Sequence, residues 1–343
     1  LWNPFIDCGV PLLVSVQQGV LYPPNWLHLL VSTERAFCLL IVAHTLFAGA
    51  GTWLYCRGRG CSPVGCSIAT MVFAVGGTQV LHFYEGQGMV VFSMAWWPWI
   101  LWQLDRLVTG VTTGRVAGLA VFLSLQFLAG FPLFTLVMAW LIPAYLLLLG
   151  VDWSRWCGKP NRQLILGSGV AALLALGLVA IVLLPAMDFV GQAHRGQLSL
   201  ETAESHALPA THLVRSIVPG FFGHPVDSTF WGDDQHWNVL TFCGVVSLVL
   251  VPWSVTSSSR RVVLYWGVVA IGMLSYCLGG VVFDICYLFL PGFDLFRRPI
   301  ALRLFLIFAV AVLAALGWDR LASLRERDGG RRGLAVMILL GLA

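Results

Sequence analysis

The sequence predicts an all-α, polytopic membrane protein with about ten transmembrane helices in this chain. Three observations carry that expectation. Hydrophobic residues make up 58% of the chain and charged ones only 10%, against roughly 25% charged in a soluble globular domain. None of the sixteen acidic residues falls inside a long apolar stretch. Those stretches are helix-length and rich in Leu, Ala, Val and Gly, with no alternation of period two, and inside lipid only a helix or a closed barrel satisfies its own backbone.

In chain order the spans are expected near 36–56, 62–82, 89–104, 116–130, 132–150, 163–187, 238–256, 262–282 and 300–318, with a cut-off tenth from 333. The gaps between them alternate in charge. The gaps after spans one, three, five, seven and nine hold fourteen of the twenty basic residues, among them Arg57, Lys159, Arg260 and Arg320, and five of the sixteen acids. Lys/Arg enrichment in short loops marks the cytoplasmic side, so the opposite side, with eleven acids and six arginines, is expected outside. The basic pI of 8.6 is therefore read as a topology signature and not as a nucleic-acid footprint. The chain opens on Leu1 in a polar, turn-rich segment, so an earlier span is expected before it, and both termini are read as truncated within one multi-spanning domain.

Two outer segments are substantial. The first loop, 1–34, contains Asn25 to Val31, where Asn25 follows two prolines and Trp26 and the leucines suit either a short helix in the interface plane or a plain re-entry turn. The second, 188–237, mixes aromatic, His and acidic residues with prolines and is read as a folded cap. Of the nine cysteines, Cys38, Cys243 and Cys277 act as small apolar residues in spans, while Cys8 and Cys286 both fall outside, where pairing stays open. His44, alone in an apolar span, is expected to make a helix–helix hydrogen bond.

The opening run Leu1-Trp2-Asn3-Pro4, Gly9-Val10-Pro11, Gln17 or Gln18, and Tyr22-Pro23-Pro24-Asn25 resembles the first outer loop of the YfhO family of bacterial membrane proteins. Gly76-Gly77 with His82, Ala95-Trp96-Trp97-Pro98, Ala129-Gly130-Phe131-Pro132, and Phe296-Arg297-Arg298-Pro299 with Arg303 fit the same pattern along the chain. That family is similar to GT-C glycosyltransferases. The resemblance implies a GT-C-like fold in the bacterial inner membrane, with large loops on the outer face. It also implies a polyprenyl-phosphate sugar donor, and a cell-envelope glycan, lipid or protein as acceptor. The acid that such enzymes carry at the start of the first outer loop would lie before Leu1.

The residues themselves offer candidates for this chemistry, which needs a carboxylate to take the acceptor proton and cations to hold the donor phosphate. Asp7 sits in a turn rich in Pro and Gly, either as a catalytic acid or as a cap of that turn. His82 and Glu85 share one helical face at the outer end of span two, ahead of Gly86 and Gly88, as a catalytic pair or as an interfacial contact. Arg297, Arg298 and Arg303 are half of the outer basic residues and match a lipid phosphate, with snorkelling as the rival reading. The resemblance implies Gln17 and Gln18 at the substrate, His236 is expected there too, and Tyr22, Trp231 and Trp237 either stack on sugar rings or serve as ordinary membrane-interface aromatics. Asp233, Asp234 and His236, with His224, form either a site for a divalent cation (Mg or Mn) or a wet structural cluster. The expected function is sugar transfer at the outer face, the alternatives being a lipid-linked sugar flippase or a membrane scaffold.

Overall fold

A computed structural model describes residues 2–5, 9–151, 158–192, 199–233, 236 and 239–327. The described residues are overwhelmingly helical, and the only strands are the two-residue pair β1 (Trp2–Asn3) and β2 (Val10–Pro11). By backbone contacts the chain forms two compact units, residues 1–51 with 86–198 and residues 52–85 with 199–343.

Five helical segments among the described residues are long and apolar enough to cross a membrane: Thr33–Gly58, Pro63–Tyr84, Pro132–Gly150, Lys159–Phe189 and Pro299–Arg325. A sixth arises if the bent pair Arg260–Cys277 and Val281–Phe289 is one span. These correspond to expected spans one, two, five, six, nine and eight. Spans three and four map onto shorter helices, α4 (Gly88–Met94), α5 (Trp97–Thr109) and α6 (Thr113–Leu128). Span seven differs most, because its helix α10 is only Val245–Ser254. Gly244, at φ +89°, interrupts the helix there, and the preceding Leu240 and Phe242 carbonyls bond to side chains instead of a helical ladder. The expected tenth span lies outside the described residues.

In the first unit, Gly9 at φ +114° lies under the Trp2 ring, where a Cβ would come within 2.5 Å, so the β1–β2 hairpin requires glycine at that turn. Next comes a 3-10 helix at Pro23–Leu29, starting two residues before the expected Asn25, because its two prolines pre-set the first turn. Trp26 and Leu29 on it, and Leu30 just after it, are exposed. Helix α1 (Thr33–Gly58) begins in this unit, and α7 (Pro132–Tyr145) starts on a proline and runs on through Leu146–Gly150. Helix α8 (Lys159–Gln192) packs one stripe against α6 through Phe127, Val179 and Val182, while Leu173, Ile181 and Leu184 face outward.

In the second unit, α13 (Arg303–Arg327) is the axis, with α2 (Pro63–Ala74), α10 and α11 (Arg260–Cys277) packed on it. It is the most enclosed of the membrane-length helices, with 89% of its apolar window buried. Small residues allow the approach: a Cβ on Gly317 would sit 2.0 Å from the Leu250 carbonyl oxygen of α10. Ser62 caps α2 by accepting from the Gly65 N–H, and its own N–H donates to Asp319 at 2.8 Å. Trp266 donates to Tyr55 Oη at 2.9 Å beneath Phe308.

Charge asymmetry makes a direct prediction about sidedness. Single cysteines at Arg57, Lys159 and Arg260 should resist an impermeant thiol reagent in intact cells, and one at Asp233 should react. Labelling of Lys159→Cys from outside would reverse the orientation.

Candidate functional site

The second span is broken where Gly76 starts the short helix α3 (Gly77–Tyr84). A Cβ at Gly76 would meet the Val72 carbonyl oxygen at 2.3 Å, and one at Gly77 would press on the Phe242 ring. Close approach brings the 240–242 backbone alongside, and the Thr78 hydroxyl faces the Leu240 and Phe242 carbonyls at 3.3 and 3.2 Å. Gln79 and His82 follow at helical spacing on the same buried face, and Glu85 ends the helix.

His82, Glu85 and Arg303 converge there. Arg303 opens α13 with its guanidinium buried, donating through Nε to Leu240 O and through Nη1 to Ile300 O, each at 3.1 Å. Its Nη2 lies 3.2 Å from His82 Nε2. A guanidinium only donates, so Nε2 is the acceptor and the His82 proton is on Nδ1. Nδ1 lies 3.9 Å from Glu85 Oε2, beyond hydrogen-bond range. The Glu85 side chain is 8% exposed, and neither carboxylate oxygen has a hydrogen-bond partner. Loss of water pushes its carboxyl up to about 7, with the nearby Arg303 charge opposing the shift.

Arg303 was expected to join a phosphate clamp. It is instead turned inward, because Pro299–Leu302 forms a 3-10 turn that lays it against the 240 backbone, and its named donors are taken by protein groups. Arg297 and Arg298 are the opposite case. Both are exposed, and neither side chain has a hydrogen bond or ion pair among the described residues. Arg298 adopts φ +72°, a left-handed conformation rare for a residue with a Cβ.

The described part of the 188–237 loop folds around a cation that carries no local sign in the sequence. Arg215, fully buried, donates through Nε to Pro219 O at 3.1 Å and through Nη1 to His236 O at 2.9 Å. Its Nη2 faces His236 Nε2 at 2.8 Å. The Phe230 ring stands beside the guanidinium, and Ser216 and Thr241 hydroxyls join at 2.6 Å. Burial, the Arg215 charge and His224 hold the His236 imidazole down at about 4, so it is neutral at ordinary pH. His236 is therefore a structural acceptor for Arg215 and not an open substrate contact. Trp231 is exposed and makes tilted ring contacts with Phe221 and Phe222. No group of three metal-ligating side chains occurs among the described residues. Asp233 is exposed, and Asp7, Asp234 and Trp237 lie outside the described residues.

The remaining candidates belong to the other unit. Gln17 and Gln18 are exposed on a 3-10 turn, and Gln18 borders an open cleft of about 490 Å³ with Asn25, Trp26 and His28. Tyr22 was expected to stack on a sugar but is fully buried. Its hydroxyl donates to His44 Nε2 at 2.6 Å and accepts from Trp96 Nε1 at 2.9 Å, while His44 Nδ1 donates to Leu40 O at 2.7 Å. His44 thus bonds a loop tyrosine instead of another helix. Tyr22→Phe should cost about 1–3 kcal/mol by leaving two buried ring nitrogens without their partner; an unchanged thermal melt would refute this account of the network.

No family model, curated protein or solved structure matches the chain.

Proposed function

We propose that the chain is a membrane glycosyltransferase that moves a sugar from a polyprenyl-phosphate carrier to a cell-envelope acceptor on the outer face of a bacterial inner membrane. The observation that carries the proposal is the Glu85 carboxylate: desolvated, without hydrogen-bond partners, and raised to about 7. A general base works best when its pKa lies near the operating pH, and such perturbation concentrates at functional sites. The motif resemblance to the YfhO family points the same way.

In this reading Glu85 takes the proton of an acceptor hydroxyl as that oxygen attacks the anomeric carbon. The bond from that carbon to the phosphate oxygen breaks, and the polyprenyl phosphate leaves with the electron pair. Arg297 and Arg298 supply unengaged guanidinium groups whose forks match the departing phosphate. His82, oriented by Arg303, is a positioning residue: its Nδ1 lies 3.9 Å from Glu85 Oε2, on the side of the carboxylate. The direct test is transfer of radiolabelled sugar from a polyprenyl-phosphate sugar by the purified, reconstituted protein. Movement of that lipid between leaflets of vesicles with no transfer would replace the transferase by a flippase.

A further inference from the structure

We propose that α12 (Val281–Phe289) is a lateral helix lying in the plane of the bilayer interface, and that together with Arg297 and Arg298 it holds an anionic, phosphate-bearing membrane lipid. The proposal deepens the function above, from which it takes the pairing of these arginines with a lipid phosphate; the lipid contact of α12 stands without it.

The geometry begins at the break before α12. Helices α11 and α12 meet at 94°, so if α11 runs along the bilayer normal, α12 lies in the bilayer plane. Two glycines make the corner, Gly279 at φ +78° and Gly280 at φ +71°, a conformation open to glycine and costly for other residues. The corner is fastened by Glu204 at the end of α9 (Leu200–Glu204), whose Oε1 accepts the Gly280 N–H at 2.5 Å. A Cβ on Gly279 would meet that same oxygen at 2.5 Å. Leu208 N–H adds a second tie, to Cys277 O at 2.6 Å. A carboxylate at the first N–H of α12 also suits the positive end of that helix.

The two faces of α12 then differ in what covers them. Phe283 is fully buried between the rings of Tyr276 and Tyr287. Val281, Val282, Ile285, Leu288 and Phe289 form a continuous exposed stripe at helical spacing. Water is a poor solvent for such a stripe, whereas an interfacial helix places its apolar face against acyl chains. The chain leaves α12 through residues 290–295, with a 3-10 helix at Phe293–Leu295, and reaches Arg297 and Arg298, both exposed and without a hydrogen bond or ion pair among the described residues, ahead of Pro299. Asp294, the nearest acid in sequence, is exposed and pairs with neither. Apolar contact along the helix and two guanidinium forks beyond its end match a lipid tail and its phosphate.

The test uses the full chain in phosphatidylcholine vesicles containing a minor fraction of phosphatidylglycerol. A fluorophore is placed at Leu288→Cys in a background lacking the other cysteines. Brominated phosphatidylglycerol should quench it several-fold more than brominated phosphatidylcholine at equal fraction, and Arg297→Gln with Arg298→Gln should erase the difference. Quenching by aqueous iodide but by neither lipid would overturn the lateral placement. Equal quenching by the two lipids in the unaltered arginine background would overturn the anionic-lipid site. If the cysteine-free background fails to fold, native mass spectrometry of the otherwise unaltered protein decides. Bound phosphatidylglycerol should fall several-fold in the arginine variant, and equal retention counts against the site. Because neither readout involves Glu85 or sugar transfer, failure of transfer and failure of lipid binding are separable.

Discussion

Glu85→Gln should lower sugar transfer by about 10²–10⁴-fold while leaving donor binding largely intact, since a general base acts in the transition state far more than in the ground state. Glutamine keeps the size and shape of the side chain but is neutral and cannot act as a base. In the unaltered protein, transfer should rise with pH through about 7, as the Glu85 carboxyl ionises. Stability should run the other way. A carboxyl whose folded-state pKa is raised from 4.5 to about 7 holds its proton more tightly when folded, so stability falls as pH rises through that window and is level beyond it. The fall is at most about 3 kcal/mol for a shift of this size, and Glu85→Gln should remove it. Thermal melts at pH 4.5 and pH 8 check the sign: a variant no more stable than its parent at the higher pH would mean that the carboxylate is well solvated. Full transfer by the variant would move the base elsewhere.

The second large effect is expected in the loop around Arg215, called the cap below, away from any proposed chemistry. Arg215→Ala should destabilise the cap by about 3–5 kcal/mol, because it strips the donors from Pro219 O, His236 O and His236 Nε2 together. Arg215→Lys should recover only part of this, since one ammonium cannot reproduce a three-way fork. Limited proteolysis between residues 199 and 241 measures the effect; unchanged protection of Arg215→Ala would show that Arg215 does not organise the cap. Acid should act on the same knot. His236 is held neutral when folded, at about 4 against an ordinary 6.5, so its contribution is lost progressively as pH falls from 6.5 towards 4.

What could be read from the sequence follows from how local each cause is. Length and apolarity are local, so the ends of the helix at Thr33–Gly58 and of the long runs from Pro132, Lys159 and Pro299 fall close to the expected spans. The shared face of His82 and Glu85 follows from three-residue spacing, and the same count applied backwards reaches Gln79. The shortening of the seventh span was visible only as Gly244, whose backbone conformation depends on partners across the unit. Tyr22 carries no local sign of burial, because an aromatic near the membrane surface is equally at home in an interfacial belt. Arg215 looks like any other loop arginine until the chain brings His236 and Pro219 around it. Arg297 and Arg303 differ in sequence only by position, yet one faces out and the other turns in, because Pro299 opens a tight turn between them.

The enclosure of α13 sets a timetable for synthesis. Helices α2, α10 and α11 all rest on it, yet it is the last described helix to leave the ribosome. At 5–20 residues per second, the interval between completing Ala74 and reaching Arg303 is on the order of 10–50 s. Throughout that interval His82 must wait without the Arg303 guanidinium that finally faces it, and Thr78 waits for the Leu240 and Phe242 carbonyls until those residues are made. A nascent chain arrested before α13 should therefore present α2 and α3 as an unaccompanied, partly polar segment, the form in which membrane quality control would meet this protein.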